Sequence, residues 1–372
     1  MEKNKLECSV PCLFGLEGPV GDELRRMDIS DVRPENGRVK FSGDESAVMA
    51  ANIRLRCGER VLIELGSFPA GSFDELFEGV KVLPWERFIP QNGRFPVKGH
   101  CLNSKLFSVP DCQKIVKKAV VSRLGSKYGI SWFPEEGETY QIQFSIMKDI
   151  AYLYLDTSGT GLHKRGYRPA AGVAPLRETL AAAMVGLARY RGKEDFCDPF
   201  CGSGTIPIEA ALIAKNRAPG IGRSFSAESW ACFDKKLWQD AREAAAAKEF
   251  SGEYSIVGAD NDPKVLELAK QNAKRAGVDD IVRFELSDAM EFDRKTQRGI
   301  IVTNPPYGER IMEKREAEGL YKGFGEAYRR QENWKLYLLS SHTELERTFG
   351  KTADKKRKLY NGMIKCDLYY FN

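Results

Sequence analysis

Apolar residues at every second position mark the first 155 residues as a run of short, half-buried strands: "CSVPCLF", "GRVKFSG", "RVLIELGSF", "RFPVKGHC", "TYQIQFSI" and "IAYLYLDTSG". Helical stretches at 44–58, 72–83 and 111–128 separate them. This mixture predicts an α+β region, divisible into two small units near Gly66. From Pro175 the rhythm changes. A helix, "PLRETLAAAMVGLARY", leads to a strand, "DFCDPF". "YSIVGAD", "IVRFELSD", "GIIVTN", "WKLYLLSS" and "GMIKCDLYYF" follow, with helices between most of them. Such alternation predicts a mainly parallel, doubly wound α/β sheet, whose carboxyl edge is where ligands bind. The expected division is 1–65, 66–155, a Gly-, Pro- and Arg-rich linker at 156–174, and 175–372. The long connection 216–250 is expected to help shape a substrate site.

A chain of 372 residues exceeds one ordinary core, which agrees with several domains. No apolar run approaches the roughly 20 residues that span a bilayer, and "MEKNKLECSV" has no secretory apolar core. Nine scattered cysteines without a Cys-x-x-Cys pair, and three histidines, predict reduced thiols, a cytoplasmic protein and no metal site. The net charge of +5 arises beyond residue 155, since 1–155 hold 21 basic and 21 acidic side chains. Local basic blocks matter more. Residues 94–127 carry eight Lys or Arg against Asp111, 160–193 seven against Glu178, and 347–365 seven against Asp354. Three such blocks suit a polyanion touched at several points, or equally a solvated surface balanced by acids elsewhere.

The candidate chemistry lies at predicted strand ends. "DPFCGSGTIPIEAAL" (198–212) turns from strand to helix through Gly202 and Gly204, where a backbone can approach a ligand closely. Alone, this is also a plain strand–helix turn. It is neither the dinucleotide fingerprint, which fails at Pro207, nor a P-loop. Asp260 ends the next strand, where a ribose diol is held in such folds, and Asp262 reads as the cap of the helix opened by Pro263. Asp288 and Ala289 end the third. Each acid alone reads as a helix cap, but three at successive strand ends form a pattern.

Asp-Pro-Phe-Cys-Gly-Ser-Gly-Thr, Gly-Ala-Asp-Asn-Asp-Pro, Ser-Asp-Ala and Asn-Pro-Pro-Tyr, in that order, resemble a class I S-adenosylmethionine-dependent methyltransferase. Residues 160–372 are similar to the bacterial guanine-N2 methyltransferases of 23S ribosomal RNA, through "GLHKRGYRPAAGVAPLRETLAAAM" and "KKRKLYNGMIKCDLYYF". Residues 66–155 resemble a THUMP RNA-binding domain, through "RFPVKGHCLNSKLFSVPDCQKIVKKAVVSRL", and the preceding residues resemble its ferredoxin-like companion. A second methyltransferase domain, fused in the best-known enterobacterial enzyme, is not expected here. The resemblance implies a Rossmann-like C-terminal domain holding S-adenosylmethionine through Asp198, Phe200, Gly202, Gly204, Thr205, Asp260, Asn261, Asp288, Ala289 and Asn304. It implies Thr179 or a basic residue of 160–180 at the cofactor's carboxylate, and contacts from His163, Arg165 and Arg168 there or to RNA.

An exocyclic amine on a base is a poor nucleophile because its lone pair is delocalised into the ring. Two acceptors on its N–H bonds, the Asn304 side-chain oxygen and the Pro305 carbonyl, would localise and aim it. Pro305 and Pro306 fix their own φ and restrict their predecessors, and Tyr307 would stack on the extruded base. Adenine N6, guanine N2, cytosine N4 and glutamine N5 all fit this motif. Lys98, Lys105, Lys114, Lys117, Lys118 and Arg123 are the expected RNA contacts of the THUMP region, the last four on the outer face of one amphipathic helix. A 23S rRNA guanine-N2 methyltransferase is the reading favoured. A tRNA guanine-N2 enzyme of the same plan and a non-catalytic ribosome-assembly factor are the alternatives. The label of DNA adenine methylase rests on Asn-Pro-Pro-Tyr alone.

Overall fold

Alternating burial in the first half of the chain builds one sheet. The computed structural model describes residues 5–168, 176–294, 296, 298–307 and 311–372, with only the backbone for 311–314. Its first elements are β1 (Leu6–Pro11), α1 (Glu17–Arg25), β2 (Arg33–Glu35), β3 (Arg38–Gly43), α2 (Glu45–Arg54), β4 (Leu62–Pro69) and α3 (Phe73–Lys81). β5 (Val97–Leu102), α4 (Val109–Tyr128), β6 (Ile142–Met147) and β7 (Ile150–Asp156) complete the region. The strands lie in the order β2-β3-β1-β4-β7-β6-β5, all antiparallel neighbours except the parallel β5 and β6. Caps set the helix starts: the side chains of Asp44 and Ser72 accept from the backbone N–H of Ala47 and Glu75.

The division near Gly66 falls inside β4. Leu62 and Ile63 pair with β1, while all of β4 pairs with β7, so both units share one sheet. A break there would leave two edges with unpaired backbone groups. Gly66 marks a local bulge instead, and a Cβ on it would lie 2.7 Å from Leu83.

The stretch expected to be a linker is packed where the structure describes it. Asp156, Thr157 and Ser158 are fully buried, and Leu162, Arg165 and Tyr167 nearly so. The Asp156 carboxylate accepts from the N–H groups of Ser158 and Gly159 and pairs with Arg60. Residues 169–174 of the expected linker lie outside the described residues.

Beyond it come α5 (Glu178–Leu187), β8 (Asp195–Asp198), α6 (Thr205–Ala214), α7 (Lys235–Ala246), β9 (Ile256–Asp260), α8 (Pro263–Ala276) and β10 (Val282–Leu286). β11 (Gly299–Thr303), α9 (Ile311–Arg329), β12 (Trp334–Ser340), α10 (Leu345–Phe349), β13 (Lys355–Asn361) and β14 (Ile364–Phe371) end the chain. The order is β10-β9-β8-β11-β12-β14-β13, parallel from β10 to β12, with β14 antiparallel to both of its neighbours. β13, "KKRKLYN", was not among the expected strands because its four leading cations mask the alternation. Charge on an edge strand also blocks unwanted pairing.

The connection 216–250 braces the two halves. α7 packs on α2. The backbone N–H groups of Gly220 and Ala227 donate to Ile53 and Thr157 at 2.9 and 3.0 Å. Trp230 donates its indole N–H to the Thr139 carbonyl at 2.9 Å and stacks on Tyr140. Among the described residues, no helix is long and apolar enough to cross a membrane.

Candidate active site

Four adjacent strands, β10, β9, β8 and β11, deliver the candidate residues to one edge. Asp198, the last residue of β8, is 1% exposed. One carboxylate oxygen accepts from the Phe200 N–H at 3.1 Å and the Thr303 hydroxyl at 2.6 Å. The other is buried without a hydrogen-bond partner. Burial raises this carboxyl from 3.8 to about 7, against the opposing effect of the Thr303 and Phe200 bonds. The turn that follows needs its glycines. Gly202 and Gly204 take φ of +49° and +82°, and a Cβ on Gly204 would meet Ala269 and the Phe284 ring at 3.0 Å. Above Gly202 the space is open to 4 Å.

Asp260 ties this turn to β9: one oxygen accepts from the Gly202 N–H at 2.9 Å, the other from the Asp262 N–H at 3.1 Å. Asp262 caps α8 by accepting from Lys264 N–H, and Asn261 stands exposed between them. Asp288 accepts from the Met290 N–H at 2.8 Å and, with the buried Ala289 and Pro199, lines a cavity of about 90 Å³. Phe200 packs edge-on against Phe324. Among the described residues, no group of three or more His, Cys, Asp or Glu is placed to hold a metal.

Asn304 leaves β11 immediately after Thr303, so the Thr303–Asp198 hydrogen bond joins the two loops directly. The Asn304 side-chain oxygen accepts from the Tyr307 hydroxyl. That hydroxyl lies 3.4 Å from the Asn361 amide nitrogen, and burial pushes its pKa well up. The Pro306 carbonyl accepts from Tyr321 at 2.8 Å, and Tyr321 also bonds Ser340 at 3.0 Å. Among the described residues the Pro305 carbonyl has no hydrogen-bond donor. Gly308, Glu309 and Arg310 lie outside the described residues. Neither Thr303 nor Tyr321 stood out in sequence. A hydroxyl before Asn304, one residue past an apolar run, was the only local signal for Thr303, and α9 gave none for Tyr321.

The residues between the halves are placed differently from expectation. Thr179 is fully buried and donates to Glu59 at 2.6 Å, which withdraws it from a ligand's carboxylate. Arg165 is 6% exposed, paired with Glu209 at 3.4 Å and donating to the Leu162 carbonyl at 2.7 Å. It is an interior residue whose guanidinium is engaged by protein acceptors. His163 meets Glu59 at 3.2 Å. Arg168 remains at the cofactor edge, paired with Glu178 at 2.6 Å and donating to the Thr205 hydroxyl at 3.1 Å.

In the THUMP-like region, Lys98, Lys105, Lys114 and Lys118 are exposed. Lys117 and Arg123 are instead engaged by protein partners. Lys117 pairs with Glu135 and sits 3.6 Å over the Phe95 ring, while Arg123 holds Glu86 through two hydrogen bonds. Nine residues are two and a half helical turns, so Arg123 points half a turn away from Lys114.

Residues 165–370 match the model of an RMKL-like methyltransferase domain, residues 7–62 that of the RlmL ferredoxin-like domain, and residues 70–156 that of the THUMP domain. A Bacillus subtilis (strain 168) protein named as an RNA methyltransferase, YpsC, is 44% identical over 374 residues, covering 100% of this chain and 96% of its own. The ribosomal RNA large subunit methyltransferase K/L of Psychromonas ingrahamii (strain DSM 17664 / CCUG 51855 / 37) is 33% identical over 369 residues. That match covers 96% of this chain but 49% of the relative, so this chain spans about half of that relative's length. A solved methyltransferase structure complexed with SAH superposes with a TM-score of 0.94 at 39% identity, covering 100% of this chain and 98% of that one.

Proposed function

Because the chain belongs to the RMKL-like methyltransferase family, with RNA as substrate and S-adenosylmethionine as cofactor, we propose that it methylates the exocyclic N2 of a guanine in 23S ribosomal RNA. The observation that carries the amine chemistry is the pair of acceptors past β11, the Asn304 side-chain oxygen and the undonated Pro305 carbonyl, joined to Asp198 through Thr303, and the ribosomal RNA substrate is supported by the K/L relatives. The unpartnered Asp198 oxygen and the open space above Gly202 fit a ligand that brings its own hydrogen-bond donors. Gly202 and Gly204 would let the cofactor approach the backbone, Asp260 would hold its ribose and Asp288 its adenine amine. When bound, the cofactor supplies a methyl group on a sulfonium centre.

The protein's own contribution is positioning. The Tyr307 hydroxyl donates to the Asn304 oxygen. A substrate amine takes over that oxygen, so Tyr307 swings off it and its ring becomes free to stack on the extruded base. The raised pKa of Tyr307 keeps it a neutral donor, and the exchange needs no proton transfer. Donating one N–H to Asn304 and the other to Pro305 localises the amine's lone pair. The methylated amine then loses its proton to solvent.

The reading is tested with purified protein, labelled S-adenosylmethionine, and rRNA and tRNA from cells lacking this protein. Label is expected in N2-methylguanosine from 23S RNA, and none with Asn304→Ala, whose cofactor affinity by calorimetry stays within about twofold of wild type. Label in tRNA alone transfers the reading to a tRNA enzyme. Label in N6-methyladenosine, or full activity of Asn304→Ala, overturns it.

A further inference from the structure

β13 and β14 form a hairpin closed by Gly362 and Met363. Gly362 has φ +63°, as the first position of a two-residue hairpin turn requires, and the space beside it is open. Register fixes where this tip lies. Ser340, the last residue of β12, pairs with Asp367, while β14 begins at Ile364. β14 is antiparallel to β12, so its start overshoots the carboxyl edge by three residues, about 10 Å at roughly 3.3 Å each. Asn304 emerges from the same edge, and the hairpin's Asn361 lies 3.4 Å from the Tyr307 hydroxyl.

At this tip, Met363 is 98% exposed, the most exposed large apolar side chain among the described residues. Its surroundings are largely cationic. Lys365 lies next to the turn and Lys358 further down β13, opposite Asp367, both exposed and with no salt-bridge partner among the described residues; Lys355 follows, and Lys356 is paired with Glu346. The base of the hairpin is fixed: the Arg357 guanidinium donates to the Gly15 carbonyl at 2.5 Å, and Tyr360 meets Phe14 edge-on. A rigid, basic ribbon thus carries one unbranched apolar side chain past the catalytic edge. Among the described residues, none covers it.

We infer that Met363 is a wedge, entering the base stack of the RNA as the target nucleotide leaves it for Asn304. An extruded base leaves a gap whose unstacking costs a few kcal/mol, and an apolar side chain inserted between base steps offsets part of that cost. The lysines hold the phosphates on either side, and Tyr307 receives the base on the inner side of the hairpin. Met363 is therefore a positioning residue, touching the RNA but not the reacting atoms.

The inference rests on the RNA-methyltransferase reading, and its test separates the two. The substrate is the RNA segment that wild-type protein methylates, prepared as a base-paired hairpin and as an unpaired oligonucleotide. Met363→Ala should lose at least tenfold in kcat/KM on the paired form, remain within twofold on the unpaired form, and bind cofactor as wild type does. Met363→Leu should restore the paired-form rate. With 2-aminopurine at the target position, the fluorescence rise on mixing should be slowed by Met363→Ala. Equal loss on both forms, no loss on either, or a Met363→Leu as impaired as Met363→Ala overturns the wedge while the methyltransferase stands. A wild type active on neither form removes the reading on which the wedge rests.

Discussion

Asp198 is held between a polar task and an apolar setting. Its carboxyl is pushed up to about 7 by burial, so the fold favours the protonated form. The sign follows: stability from this group is complete below the usual carboxylate pKa near 4 and is lost as pH rises through about 7. Asp198→Asn keeps an oxygen for Thr303 and Phe200 and removes the titration. Its stability relative to wild type should rise between pH 4 and pH 8, by on the order of a few kcal/mol at about 1.4 kcal/mol per unit, measured by urea unfolding at both pH values. A constant difference would refute the assignment. At Tyr307 the ring and the hydroxyl separate cleanly. Tyr307→Phe clears the Asn304 oxygen and should lower KM for RNA with kcat little changed, whereas Tyr307→Ala should lose roughly ten- to a hundredfold in kcat/KM, as for one stacked base. Steady-state kinetics on the methylated RNA distinguishes them. Asn-Pro-Pro-Tyr was readable in sequence because its four residues are adjacent. The Thr303–Asp198 bond was not, since its partners lie 105 positions apart.

Elements reveal a different limit. Strand periodicity placed β4, β6, β7 and β11 closely, and the caps at Asp44, Ser72 and Asp262 were local. What periodicity cannot report is which element a segment packs upon. The connection 216–250 was expected to help shape a substrate site; its bracing of the halves was not legible, because Trp230 finds Tyr140 and Thr139 in the other half of the chain. Trp230→Ala should cost about 3–5 kcal/mol in chemical denaturation while leaving cofactor affinity unchanged. A substrate loop would show the reverse. In this region, protein partners divide the cations. Lys98→Glu, Lys105→Glu and Lys118→Glu together should weaken RNA binding and shallow the slope of log K against log salt, by about 2–3 units if each lysine meets one duplex phosphate. Lys117→Ala should act on stability instead, on the order of 1 kcal/mol, through the Phe95 ring and Glu135.

At the scale of the molecule, the exposed lysines of β5 and α4 lie in the first half and the candidate catalytic edge in the second, with buried polar contacts between the halves. Arg165, held by Glu209 and the Arg56 carbonyl, and Glu59, held by Arg177 and Thr179, keep the halves in register. Their positions explain why a stretch rich in glycine and arginine read as a linker: composition registers polarity, whereas burial depends on partners supplied from elsewhere. The same register carries the Tyr307–Asn304 loop and the β13–β14 hairpin to one face, where a polyanion held by the first half can reach the second. The most direct test of the central claim is mass-spectrometric mapping of modified nucleosides in 23S rRNA from cells lacking this protein. One N2-methylguanosine should disappear, returning with the wild-type protein and not with Asn304→Ala. An unchanged set of 23S N2-methylguanosines, or a loss confined to N6-methyladenosine, would contradict the account.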